Sequence, residues 1–183
     1  MSFFKKRNLK ISGNDTGGGY TLVEMVISIG LVALLLIVIV ETAITIARSH
    51  ERAGNYLEIN SAAVGAFSRF SRDIRRATSI DVVNSILGAS DGKIVLKMKK
   101  DDGTDDTTVF YLAENRVKEI YNGADRGDIT PTAVDISNLT FRLFTSASTT
   151  AVRVEMTASP LASSTVSAIN FYGTYVLRGS YVK

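Results

Sequence analysis

The chain has 183 residues and a mass of 19.8 kDa, room for one globular domain and little more. With 45% hydrophobic and 21% charged residues it is no disordered chain. The absence of cysteine excludes disulfides, thiolate metal sites and a cysteine nucleophile, and a single histidine, His50, excludes a histidine-cluster metal centre.

The first 19 residues carry Lys5, Lys6, Arg7 and Lys10 against one acid, Asp15. That leaves 17 bases and 17 acids in residues 20–183, so the pI of about 9.2 belongs to the leader. Basicity is therefore no argument for a nucleic-acid partner. The mean hydropathy of +0.14 also has a local origin. Met25–Val40 is an uncharged run of 16 residues broken only by Ser28 and Gly30, and Tyr20–Glu24 extends it with one charge, Glu24. As a helix those residues span roughly 31 Å, the thickness of a bilayer core. The basic leader predicts a cytoplasmic start, and everything after the segment lies outside the inner membrane. A signal-peptidase site is weakly present at Thr45-Ile46-Ala47, but the apolar run is long for a secretory signal.

An acid at the head of a membrane helix is costly unless paired, so Glu24 reads as functional. It stands in the string G-Y-T-L-V-E-M-V-I-S-I-G, which begins at Gly19. This string resembles the type IV prepilin family, including the pseudopilins of type II secretion. Its pattern is a basic leader ending in glycine, a hydrophobic first mature residue, and a glutamate four residues later. The resemblance implies cleavage between Gly19 and Tyr20 by prepilin peptidase, N-methylation of Tyr20, and a role for Glu24 in subunit assembly. Tyr20 departs from the usual phenylalanine, and the leader is longer than the shortest known. The implied partners are other pilins or pseudopilins, an assembly platform protein and an ATPase. The implied destination is the inner membrane and then the pilus or pseudopilus, with no cofactor and no catalysis.

From Glu41 to Ala77 no proline interrupts the pattern, and Ile59, Ala63, Phe67, Phe70, Ile74 and Ala77 form one helical stripe. A single helix from Tyr20 to about Ala77 is expected, with a membrane half at 20–47 and an extracytoplasmic half at 48–79. Residues 80–183 are expected to form the head. Lys93–Lys100, Thr108–Leu112, Val117–Tyr121, Leu139–Phe144, Val152–Met156 and Asn170–Leu177 read as strands, with Glu114-Asn115 as a hairpin turn. One antiparallel sheet follows, with Thr145–Thr150 and Ala158–Ser167 as loops. The fold class is α+β: a long N-terminal helix on a small antiparallel head. The segments Phe70–Ala77 and Val176–Arg178 look like the minor pseudopilin J and PilW-like subgroup. The size of the head also favours a minor subunit.

Other clusters carry bland readings. Asp101, Asp102, Asp105 and Asp106 form an oxygen-rich calcium candidate, but without the EF-hand spacing a solvated hairpin tip is the preferred reading. Arg69, Arg72, Arg75 and Arg76 can meet DNA phosphates, but no aromatic interleaves with them, and Asp73 sits among them. A solvated or subunit-facing helix surface is preferred. His50 reads as a surface residue, and Gly17–Gly19 lack the lysine of a phosphate loop. The competing functional class is a signal-anchored extracytoplasmic binding module that does not polymerise. Such an anchor requires neither Gly19 nor Glu24.

Overall fold

The computed structural model describes residues 19–99, 103–146, 149–161 and 166–178. It holds one helix, α1 (Leu22–Arg76), followed by eight strands: β1 (Ser79–Ile80), β2 (Lys93–Lys99), β3 (Asp105–Ala113), β4 (Arg116–Tyr121), β5 (Ala124–Asp128), β6 (Val134–Ser146), β7 (Thr149–Pro160) and β8 (Ile169–Val176). The chain divides into two compact units, Met1–Ile46 and Ala47–Lys183.

In the first unit α1 is apolar on every side, and its residues are exposed. Among the described residues it is the one helix long and apolar enough to cross a membrane, and none of its most apolar stretch is buried within the protein. Two of its threonines are satisfied locally. The hydroxyl of Thr42 donates to the Val38 carbonyl at 2.7 Å, and that of Thr45 to the Glu41 carbonyl at 2.9 Å.

In the second unit α1 becomes amphipathic. Ile59, Ala62, Ala63, Ala66, Phe70 and Ile74 are buried, and Ala77 just beyond the helix is buried too. The expected stripe is therefore the packing face, widened by two further alanines and with Phe67 only partly buried at its edge. Alanine at these turns lets the sheet approach closely. Phe70 then fills the centre, edge-on to Phe110 of β3 at 5.0 Å and to Phe141 of β6 at 5.8 Å.

The head departs from the single sheet expected from the sequence. It has an antiparallel five-stranded sheet in the order β1-β2-β3-β4-β5 and a three-stranded one in the order β6-β7-β8. Residues 88–92 stitch them together: the amides of Gly88 and Gly92 donate to the Phe141 and Leu139 carbonyls, and the Leu139 amide donates to Ser90. Gly92 is required at this seam, since a Cβ there would lie 2.3 Å from the Leu139 carbonyl oxygen. Ala158–Ser167 is also less loop-like than expected. β7 continues to Pro160, with Ala158 buried on its inward face, and Val166 beyond the strand is buried too.

Two hairpins have matching chemistry. Glu114 and Asn115 both have positive φ (54° and 56°), as a two-residue type I′ turn requires. Asn122-Gly123 repeats this between β4 and β5 (φ 49° and 78°). That Asn-Gly pair was the sequence signal for β5. The strand itself, A-D-R-G-D, shows no alternation and went unrecognised.

Candidate functional site

The N-terminal segment is built around the start of α1. Gly19 and Tyr20 precede the helix and are exposed, and nothing lies within 4 Å of where a Gly19 Cβ would point. Thr21 is the N-cap: its hydroxyl accepts from the Glu24 amide at 3.3 Å, while its carbonyl takes the first helical bond from Met25 at 3.1 Å. Thr21-Leu-Val-Glu24 thus has the spacing of a capping box, a signal carried by the sequence itself. The cap also stops the helix short of Tyr20, so Tyr20 and Glu24 are not neighbours on one helical face here. Glu24 sits in the first turn, where a negative charge complements the helix dipole. It makes no ion pair among the described residues. The chemistry available is an accessible, side-chain-free peptide bond after Gly19, followed by an accessible carboxylate at the head of an apolar helix.

The acidic run separates into unlike parts. Asp101 and Asp102 lie outside the described residues. Asp105 is exposed on β3, whereas Asp106, pointing to the other face, is 6% exposed. Asp106 accepts from the Tyr121 hydroxyl and from Asn122 Nδ2 at 2.6 Å. A solvated hairpin tip therefore does not describe Asp106, because strand alternation turns it inward. Among the described residues no group of three or more histidines, aspartates or glutamates is placed to hold a metal ion.

The arginines at the end of α1 divide as well. Arg69 reaches Glu119 of β4 at 2.8 Å, and Arg72 pairs with the adjacent Asp73 at 2.9 Å. The hydrogen bond from Arg72 to Asp73, and then the charge of Asp73, raise the Arg72 pKa further above its ordinary value. Glu119 also faces Arg126 at 3.5 Å. A bulge in the β4–β5 pairing at Glu119/Ile120 turns Arg126 onto this face, 4.1 Å over the Tyr121 ring. Of these arginines Arg69 is thus committed to the head, a long-range pairing with no local sequence signal, and Arg72 to its own helix. His50 is exposed, as expected.

Family models, curated proteins and solved structures all give no match to this chain.

Proposed function

We propose that this chain is a structural subunit, minor in its filament, of a type IV pilus or a type II secretion-like pseudopilus. Prepilin peptidase cuts between Gly19 and Tyr20, the new Tyr20 amine is methylated, and the subunit joins its neighbours by packing of α1. The carrying observation is the register of an exposed Gly19–Tyr20 bond with Glu24 in the first turn of a helix whose apolar residues stay exposed on all sides as far as Ile46. In the membrane that surface meets lipid, and in a filament it meets other helices. There an unpaired carboxylate or amine is costly. Glu24 and the Tyr20 amine of an adjacent subunit satisfy one another, and their pairing fixes axial register. Orientation follows from the basic leader, which holds the N-terminus on the cytoplasmic side.

The test is the intact mass of protein from cells with prepilin peptidase, together with co-purification of partner pilins from membranes. Loss of residues 1–19 and a methylated Tyr20 are expected. Glu24→Val is expected to be cut and inserted normally but not to co-purify. A mature chain beginning at Arg48 would instead make it a signal-peptidase product. Normal co-purification of Glu24→Val would remove the role given to the glutamate.

A further inference from the structure

A cleft of about 380 Å³ opens between the last turns of α1 and the helix-facing side of the five-stranded sheet. This is the lower end of the size range of small-molecule sites. Strand alternation explains its chemistry. Phe110, Thr108 and Asp106 follow one another on one face of β3, as Val117, Glu119 and Tyr121 do on β4. At the Phe110 and Val117 end, Phe70 and its neighbours close the space with an apolar core. At the other end the face turns polar, and the helix offers Arg72, Asp73 and Arg76.

Three carboxylates form the floor: Asp73, Asp106 and Glu119, which are 5%, 6% and 1% exposed. Between them Thr108 is 1% exposed, lines the cleft, and its Oγ1 has no hydrogen-bond partner among the described residues. Buried hydroxyls are almost always paired, so this orphan, buried on a residue that lines the cleft, points to a partner reaching it from that side. The rim is cationic: Arg72 and Arg126 have half-exposed side chains, and Arg76 and Lys99 are exposed.

These charges select the ligand. An anion reaching Thr108 meets three buried carboxylates, and a cation must pass three guanidinium groups and an ammonium. A group that both donates and accepts, without net charge, suits floor and rim together. A carboxylate has about four acceptor positions. Their hydrogen bonds leave capacity on Asp73, which accepts from Arg72, and on Glu119, which accepts from Arg69 and Arg126. We propose that the cleft binds a neutral sugar ring. Its hydroxyls donate to Asp73 and Glu119, accept from the rim arginines, and close on Thr108 Oγ1. The site lies entirely within the second unit and does not depend on filament assembly.

The experiment uses the full chain, isotopically labelled, in lauryldimethylamine oxide, a detergent without a sugar headgroup. Glucose, galactose, mannose and N-acetylglucosamine are titrated in turn while amide resonances are followed. At least one is expected to shift Thr108, Glu119 and Arg126 saturably. Thr108→Val should weaken that binding about tenfold while raising the unfolding midpoint, because an unpaired buried hydroxyl is removed. Arg76→Gln, exposed on the rim and neutral to folding, should also weaken it severalfold, and Arg153→Gln on the other sheet should not. The proposal is overturned if none of the four sugars shifts these resonances. It is also overturned if Arg76→Gln and Thr108→Val bind like the parent. Saturation by sodium acetate or methylammonium chloride where the sugars fail would make this an anion or a cation site instead.

Discussion

The Arg69 guanidinium donates to Glu119 Oε2 at 2.8 Å, joining a half-exposed helix residue to a carboxylate that is 1% exposed on β4. Fifty residues separate them in the chain. Arg126, at 3.5 Å, holds the other carboxylate oxygen less closely. A buried carboxylate needs its cations, so the pair reports on helix-to-sheet docking more than on surface charge. Arg69→Ala is expected to destabilise the head by about 1–3 kcal/mol. Arg126→Ala, longer and half exposed, should cost under about 1 kcal/mol. Urea titrations followed by tyrosine near-UV circular dichroism check the order, and equal losses would contradict the geometry.

Phe70 is the contact shared by helix and both sheets, with Phe67, Phe110 and Phe141 edge-on around it at 5.8, 5.0 and 5.8 Å. Its replacement by alanine leaves a cavity that a helix fixed on two sides cannot collapse. A loss of about 3–5 kcal/mol is expected for Phe70→Ala, and about 1.5 kcal/mol for Phe70→Leu. Phe144→Ala, half exposed at the far end of β6, should be nearly neutral in the same titration.

Two glycines make close approaches of different kinds. A Cβ at Gly92 meets the Leu139 carbonyl oxygen at 2.3 Å, backbone that is itself hydrogen-bonded to the Gly92 amide. A Cβ at Gly173 meets the ends of Phe67 and Tyr175 at 2.7–2.9 Å, side chains that can swing. Gly92→Ala should therefore cost about 3 kcal/mol, and Gly173→Ala about 1 kcal/mol. Thermal melting of both variants decides this, and the reverse ranking would show that the seam between the sheets yields more easily than the β8 contact.

Asp81 is expected to contribute an acid dependence. Its carboxylate accepts from Lys97 Nζ at 3.0 Å, from Asn84 Nδ2 at 3.0 Å and from the Asn84 amide at 3.3 Å. The Lys97 bond foremost, then those of Asn84, lower its pKa from 3.8 to about 2. The folded value lies below the unfolded one. Its stabilisation is thus present above about pH 4 and lost as the pH falls towards about 2. Asp81→Asn should lower the melting temperature at neutral pH and flatten its decline across that window. An unchanged acid slope would mean that other carboxylates govern it.

Periodicity made the long helix, its buried stripe and most strands legible, because burial imposes a period of 3.6 on a helix and of 2 on a strand. The apolar run and the Gly19, Tyr20, Glu24 spacing were equally local and equally readable. Asn122-Gly123 and the Thr21 to Glu24 capping box are equally local signals. Other features were decided only in three dimensions. Ala124–Asp128 becomes a strand through its hairpin and bulge, without any pattern of its own. The joining of the two sheets depends on bonds between residues 88–92 and β6, far apart in the chain. The arginines of α1 look alike in sequence, yet Arg69 finds Glu119 across the head, and Asp106 turns inward while Asp105 stays out. The physical reason is one of range. Period, caps and turns act over a few residues, whereas the burial of a carboxylate or the orphaning of the Thr108 hydroxyl depends on which distant elements close over it.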